Sequence, residues 1–131
     1  MMRPTTAANQ YLQTQVQSRT PLELVVMLYD GAIRWADAAH DAMRAEDIRA
    51  RRQALSKLMA IIGELQSTLD MERGGQIAED LDRLYSWATS RLMDAVVARD
   101  DRPIREVRGV LASLREAWQT IATGQTVGSR P

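Results

Sequence analysis

The sequence predicts an all-α protein, an antiparallel up-down-up-down four-helix bundle with a short N-terminal helix or flap laid against it. Three observations carry that expectation. Apolar residues recur at helical spacing in four long segments, no segment alternates apolar and polar residues as a strand would, and the joints between segments are short enough to force antiparallel neighbours.

Residues 1–8 are small and polar around Pro4 and are expected to be disordered. Residues 9–16, with Tyr11, Leu12 and Val16, suit a helix of one or two turns, too short to stand alone and therefore in need of a surface to lie on. Ser18, Arg19 and Thr20 break the chain before the first long helix.

That helix has a threefold start signal. Thr20 can act as N-cap, Pro21 sits at N1 where its missing N–H costs nothing, and Glu23 occupies N3 of a capping box. It is expected to run from Pro21 to about Met43. Leu22, Leu24, Val25, Val26, Met27, Leu28 and Tyr29 surround its first two turns, more apolar surface than one core-facing stripe uses. The reading divides the helix into a side around Val25, Tyr29, Ala32 and Ala36 that closes the bundle, and a side around Leu24, Met27, Leu28 and Trp35 left for a groove, a dimer contact or the Tyr11 segment.

Asp47 is the expected N-cap of the next helix, whose buried face is Leu55, Leu58, Met59, Ile62, Leu65 and Leu69. The paired Gly74 and Gly75 read as its stop and as the chain reversal. A further helix then spans about Gln76 to Ala98, with Ile77, Leu81, Leu84, Tyr85, Ala88, Leu92 and Val96 on one side and Trp87 off that stripe. Asp101 and Pro103 announce the last helix, which carries Ile104, Val107, Leu111, Leu114, Trp118 and Ile121 on a single face. Residues 123–131 have no period and are expected to be a flexible tail, so the bundle domain is residues 9–122.

Composition narrows the function classes. The 131 residues suffice for one domain with a core of its own, and the absence of cysteine removes disulfides and thiolate metal sites. Seventeen basic and seventeen acidic residues cancel and alternate along the chain, which argues against nucleic acid as a partner. Arg49, Arg51, Arg52 and Lys57 read as a solvated helix face beside Glu46 and Asp47. The N-terminus has no apolar signal region, and no run reaches the roughly 18 apolar residues of a membrane span, so neither a secretory signal nor membrane insertion is expected.

Catalysis finds no support. A bundle di-metal site needs two Glu-x-x-His pairs, and His40 is the one histidine. Asp37, His40 and Asp41 share a helical neighbourhood but read as solvated surface, and Met43 and Arg44 stand where a histidine phosphotransfer domain carries lysine and glycine. The glycine pair lacks the lysine of a phosphate loop. No enzyme, no cofactor and no metal are expected, and binding is the function class that remains.

Three blocks carry a resemblance. Pro21-x-Glu23-Leu24-Val25-x-Met27-Leu28-Tyr29-Asp30-Gly31-Ala32-Ile33, then Leu65-x-x-x-Leu69-Asp70-x-Glu72-x-Gly74-Gly75-x-Ile77-Ala78-x-x-Leu81-x-x-Leu84-Tyr85, then Leu114-Arg115-Glu116-Ala117-Trp118 resemble the flagellar secretion chaperone family, FliS. The resemblance extends from about Tyr11 to Ile121, with Trp35 standing where a smaller aliphatic residue is commoner. It implies a cytoplasmic helical chaperone that binds the C-terminal segment of flagellin, prevents its premature polymerisation and hands it to the export apparatus, with a component of the export gate as a second partner. By the same resemblance the N-terminal tyrosine segment, here Tyr11 and Leu12, covers part of the groove. Leu24, Met27, Leu28, Gly31, Trp35, Leu81 and Tyr85 are then the candidate groove residues. A monomer or weak homodimer is expected, and the alternative reading is a homodimeric helical scaffold or adaptor.

Overall fold

The computed structural model describes residues 20–124, and the predicted helix at 9–16, with Tyr11 and Leu12, lies outside them, as does the tail beyond 124. Four helices make up the described chain: α1 (Pro21–Arg44), α2 (Ile48–Ser67), α3 (Met71–Ala98) and α4 (Arg102–Ala122). They form a ring in which α1 packs on α2 and α4, and α3 closes the other side against both.

The capping box opens α1 as the sequence predicts. The Glu23 N–H donates to Thr20 Oγ1 at 3.1 Å, and the Thr20 N–H donates to Glu23 Oε1 at 2.8 Å. Its buried stripe is Val26, Tyr29, Ala32, Ala36, Ala39 and Ala42, so Val26 takes the inward position expected of Val25, which is half-buried at the edge. Small residues along this stripe let α1 lie close to its neighbours, and its interfaces with α2 and α4 are the most extensive in the bundle. Leu55, Leu58, Ile62 and Leu65 of α2, Leu92 of α3, and Ile104, Val107 and Leu111 of α4 fill the space between.

Two sequence expectations give way. The chain reverses at residues 68–70, not at the glycine pair: Asp70 Oδ1 accepts the N–H groups of Glu72 and Arg73, both at 3.1 Å, and starts α3 at Met71. Gly75, at φ 53° and ψ −131°, is a kink inside α3, a conformation that suits a residue without Cβ. α4 starts where Asp101 and Pro103 announce it, with Asp101 in the N-cap position; its carboxylate makes no cap hydrogen bond but reaches His40 Nε2 at 3.0 Å, and the Arg102 N–H donates to Asp100 Oδ1. Arg51, assigned to a solvated face, is buried, since it stands four residues before Leu55 and seven before Leu58 on the inward stripe of α2.

Gly75→Ala should lower the free energy of unfolding by about 1–3 kcal/mol, read from urea denaturation, entirely through backbone strain. A Cβ at this position meets nothing within 4 Å, so no clash contributes. At Gly74 the cause differs, because a Cβ there would lie 2.6 Å from that of Ala78.

An interhelical ladder that sequence reading missed fixes α1 against α4. Arg115 Nε donates to Asp30 Oδ1 at 2.7 Å, Arg108 Nε donates to Asp37 Oδ1 at 2.5 Å, and the His40–Asp101 pair follows one turn further on. Asp30 and Asp37 are seven residues apart, as are Arg108 and Arg115. That matched spacing of opposite charges was the available signal.

Candidate functional site

At the end of the bundle where α1 begins, the helices part around an apolar cleft of about 390 Å³. Leu22 and Val25 come from the first turn of α1, Leu65, Thr68 and Leu69 from the end of α2, and Trp118 from the last turns of α4. The remaining wall is α3, from Asp70 through Arg73, Gly74, Ile77, Ala78 and Leu81 to Tyr85. The kink at Gly75 sets the direction of this wall: it separates the short turn started by Asp70 from the straight helix that carries Ile77 and Leu81.

Ile77, expected on the inward stripe, is 69% exposed at the cleft. An aliphatic side chain left this open beside an apolar cleft is surface available for a partner. The cleft holds three titratable side chains, Asp70, Arg73 and Tyr85, and the first two are committed to the helix start and to each other (Arg73 Nε–Asp70 Oδ2, 3.8 Å).

Below the cleft lies a buried polar contact. The Tyr29 and Tyr85 hydroxyls are 2.6 Å apart, one donating to the other, joining α1 to α3 through the core. Burial pushes the Tyr85 hydroxyl far above its ordinary range, and the adjacent Tyr29 hydroxyl adds to the rise. Burial also raises Tyr29, opposed by the hydrogen bond from Tyr85 and by the Trp118 indole, which faces the oxygen. The indole geometry falls short of a hydrogen bond, leaving Trp118 Nε1 buried without a partner.

Stability linked to these phenols is fully present below pH 10.0, the ordinary tyrosine value, and is lost as pH rises through the higher folded-state values. The folded protein holds protons there that the unfolded chain releases. Alkaline titration should therefore show Tyr29 and Tyr85 ionising together with loss of helical circular dichroism. Phenolate absorbance from these two at pH 10, with the helix signal intact, would contradict the buried pair.

The predicted site residues fall into two groups. Leu81 and Tyr85 meet at the cleft, Leu81 on its wall and Tyr85 almost wholly buried beneath it. Leu24, Leu28, Gly31 and Trp35 lie outside that cleft, spaced i, i+4, i+7, i+11 along one side of α1. Gly31 shows what that side faces: it is buried, and a Cβ there would come 3.3 Å from Ile61 Cδ1 of α2. Leu24, Leu28 and Trp35 are half-buried, while Met27 is 39% exposed on the adjoining surface. Leu22, Val25, Ile77 and Trp118 belong to the cleft although sequence reading gave them to the core or to no site. Trp87 is 37% exposed on the outside of α3, and nothing in the structure explains it.

His40 and Asp37 are held in the α1–α4 ladder, by Asp101 and Arg108 respectively. No helix of the described residues is long and apolar enough to cross a membrane.

Comparison with known proteins adds a family. Residues 4–125 match the model of a family described as flagellar protein FliS. A flagellar secretion chaperone FliS of Campylobacter jejuni is 36% identical over 126 residues, 96% of this chain and 98% of the relative. One from Salmonella typhimurium is 38% identical over 112 residues, 85% of this chain and 83% of its own length. A flagellar secretion chaperone FliSB of Pseudomonas aeruginosa is 33% identical over 111 residues, covering 85% and 88%.

Proposed function

Because this chain belongs to the FliS family, we propose that it is a cytoplasmic export chaperone that binds the C-terminal segment of flagellin, keeps it from polymerising prematurely and delivers it to the flagellar export apparatus. The observation that carries this reading is the apolar cleft at the head of the bundle with Ile77 open beside it. A segment that folds on binding needs apolar anchor points to offset its ordering entropy, and the cleft supplies them for one or two side chains. An amphipathic helix laid in a groove presents such anchors at i, i+3, i+4 and i+7.

The cleft alone is too small for a whole segment, so the ligand runs on from it. The exposed Met27 and the half-buried Leu24, Leu28 and Trp35 provide a second apolar surface along α1, and Gly31 sets the close approach of α1 to α2 beneath it. Leu81 and Tyr85 serve the cleft itself. Tyr11 and Leu12, in the segment that leads into Thr20, act in this reading as a flap that competes for the apolar surface when no flagellin is bound. The protein works as a monomer or weak homodimer, without cofactor, nucleic acid or membrane insertion, and a component of the export gate is the partner that receives the complex.

Calorimetric titration of the chain with a peptide of the host flagellin's C-terminal segment tests the reading. Saturable one-to-one binding with a negative heat-capacity change is expected. A tight dimer indifferent to the peptide would instead favour a scaffold. Removing residues 2–18 tests the flap: tighter binding marks Tyr11 and Leu12 as a lid, and weaker binding makes them part of the site.

A further inference from the structure

At the opposite end of the bundle, the turn from α1 to α2 and the C-terminus of α3 enclose a second cleft, of about 350 Å³. Arg51 and Arg99 both line it. Arg51 is 7% exposed, and its Nε is buried with no hydrogen-bond partner. Arg99 is brought to the cleft by the left-handed conformation, φ 55°, with which it ends α3.

The Arg51 Nε–H is a buried donor left without an acceptor, which costs free energy, so an acceptor that reaches it from the cleft is favoured. No side chain among the described residues provides it. All seventeen aspartates and glutamates lie within the described residues, and none comes within the 4.0 Å of an ion pair with Arg51 or Arg99. The two acids that line the same cleft are Glu46 and Asp47. Asp47 Oδ1 is engaged with the Ala50 N–H at 3.1 Å as the cap of α2, and Glu46 is exposed. Residues 1–19 and 125–131 contain no acidic side chain at all.

We propose that this cleft is a carboxylate socket, in which Arg51 and Arg99 hold an aspartate or glutamate side chain presented by a protein partner. The planar guanidinium fork matches a carboxylate through two parallel hydrogen bonds. The remaining walls, Ala42, Met43 and Ile48, are apolar and suit the methylene stem of such a side chain. Glu46 and Asp47 at the same cleft repel a dianion more than a monoanion, which favours carboxylate over phosphate. The socket lies most of a helix length from the apolar cleft, roughly 30 Å along α1 at ~1.5 Å per residue between Leu22 and Met43, so a partner could engage it while the first cleft is occupied.

Nuclear magnetic resonance of the full chain tests the socket directly, because the Arg51 Nε–H gives its own signal. The probe is N-acetylglutamate N-methylamide, whose only charge is a side-chain carboxylate; its glutamine analogue and inorganic phosphate at equal ionic strength are the comparison arms. The glutamate compound should shift the Arg51 Nε–H and the backbone amides of Met43 and Ile48 saturably, with half-saturation at about 1–10 mM. The glutamine analogue should leave them in place, and Arg51→Gln should weaken the amide response about tenfold or more. No saturable shift in the wild-type chain, or equal shifts with the glutamine analogue, would overturn the proposal. Saturation by phosphate but not by the glutamate compound would overturn its carboxylate assignment. These readouts involve no flagellin and stand apart from the function proposed above.

Discussion

Replacing Ile77 with aspartate should weaken binding of the flagellin C-terminal segment about thirtyfold while leaving the unfolding midpoint almost unchanged. The effect on the fold is small because the side chain is already 69% exposed in the free protein. The effect on binding is large because a charge placed beside the apolar cleft must be desolvated by any apolar anchor that enters it. Loss of a central anchor contact costs about 2 kcal/mol or more, and each 1.4 kcal/mol is a factor of roughly ten. Met27→Asp is the informative companion, since Met27 is also exposed but lies along α1 outside the cleft. Calorimetry on both variants ranks the two surfaces. A larger loss with Met27→Asp would shift the principal anchor to α1, and wild-type affinity in both would remove this end of the bundle from the binding site.

The second large effect concerns the fold. Ala36→Leu should lower the free energy of unfolding by about 3 kcal/mol, or prevent folding, as measured by urea denaturation. Ala36 is fully buried on the stripe where α1 meets α2 and α4, and a packed interior has no room for three more carbon atoms without strained rotamers or displaced helices. Ala60→Leu makes the same chemical change on the exposed face of α2 and should stay within about 0.5 kcal/mol of the wild type. Equal effects at the two positions would mean that the close packing of α1 is not what holds the bundle together.

Local signals in this chain were legible and non-local ones were not. The capping box at Thr20 and Glu23 and the cap at Asp47 are each written in a few neighbouring residues and form as read; Leu55, Leu58, Ile62 and Leu65 of α2 turn inward as their period says, whereas Met59 is half-buried and Leu69 lies beyond the helix end. The glycine pair misled because a positive φ serves a kink as well as a stop; Asp70, five residues before Gly75, holds the real helix start. Arg51 was grouped with its charged neighbours although its spacing to Leu55 and Leu58 put it on the buried stripe, so period was the better guide there than charge. The cleft is the hardest feature to see in sequence, because its wall draws on the ends of all four helices, and no periodicity along one of them shows where the others diverge. Tyr85 and Leu81 were found through family resemblance, Val25 and Trp118 read as ordinary core, and Leu22 was assigned to neither side of α1.

Both described termini of the bundle meet at the apolar cleft, since Leu22 stands two residues after Thr20 and Trp118 four residues before the end of α4, and each lines it. Affinity tags and fusion partners joined at either end of the chain are thereby tethered within reach of the surface proposed to hold flagellin. The exposed residues 45–47, at the far end of α1, are the attachment point that keeps such an addition clear of that surface. A label placed there would crowd the Arg51 socket instead, so the choice of attachment point decides which of the two surfaces an immobilised sample leaves open.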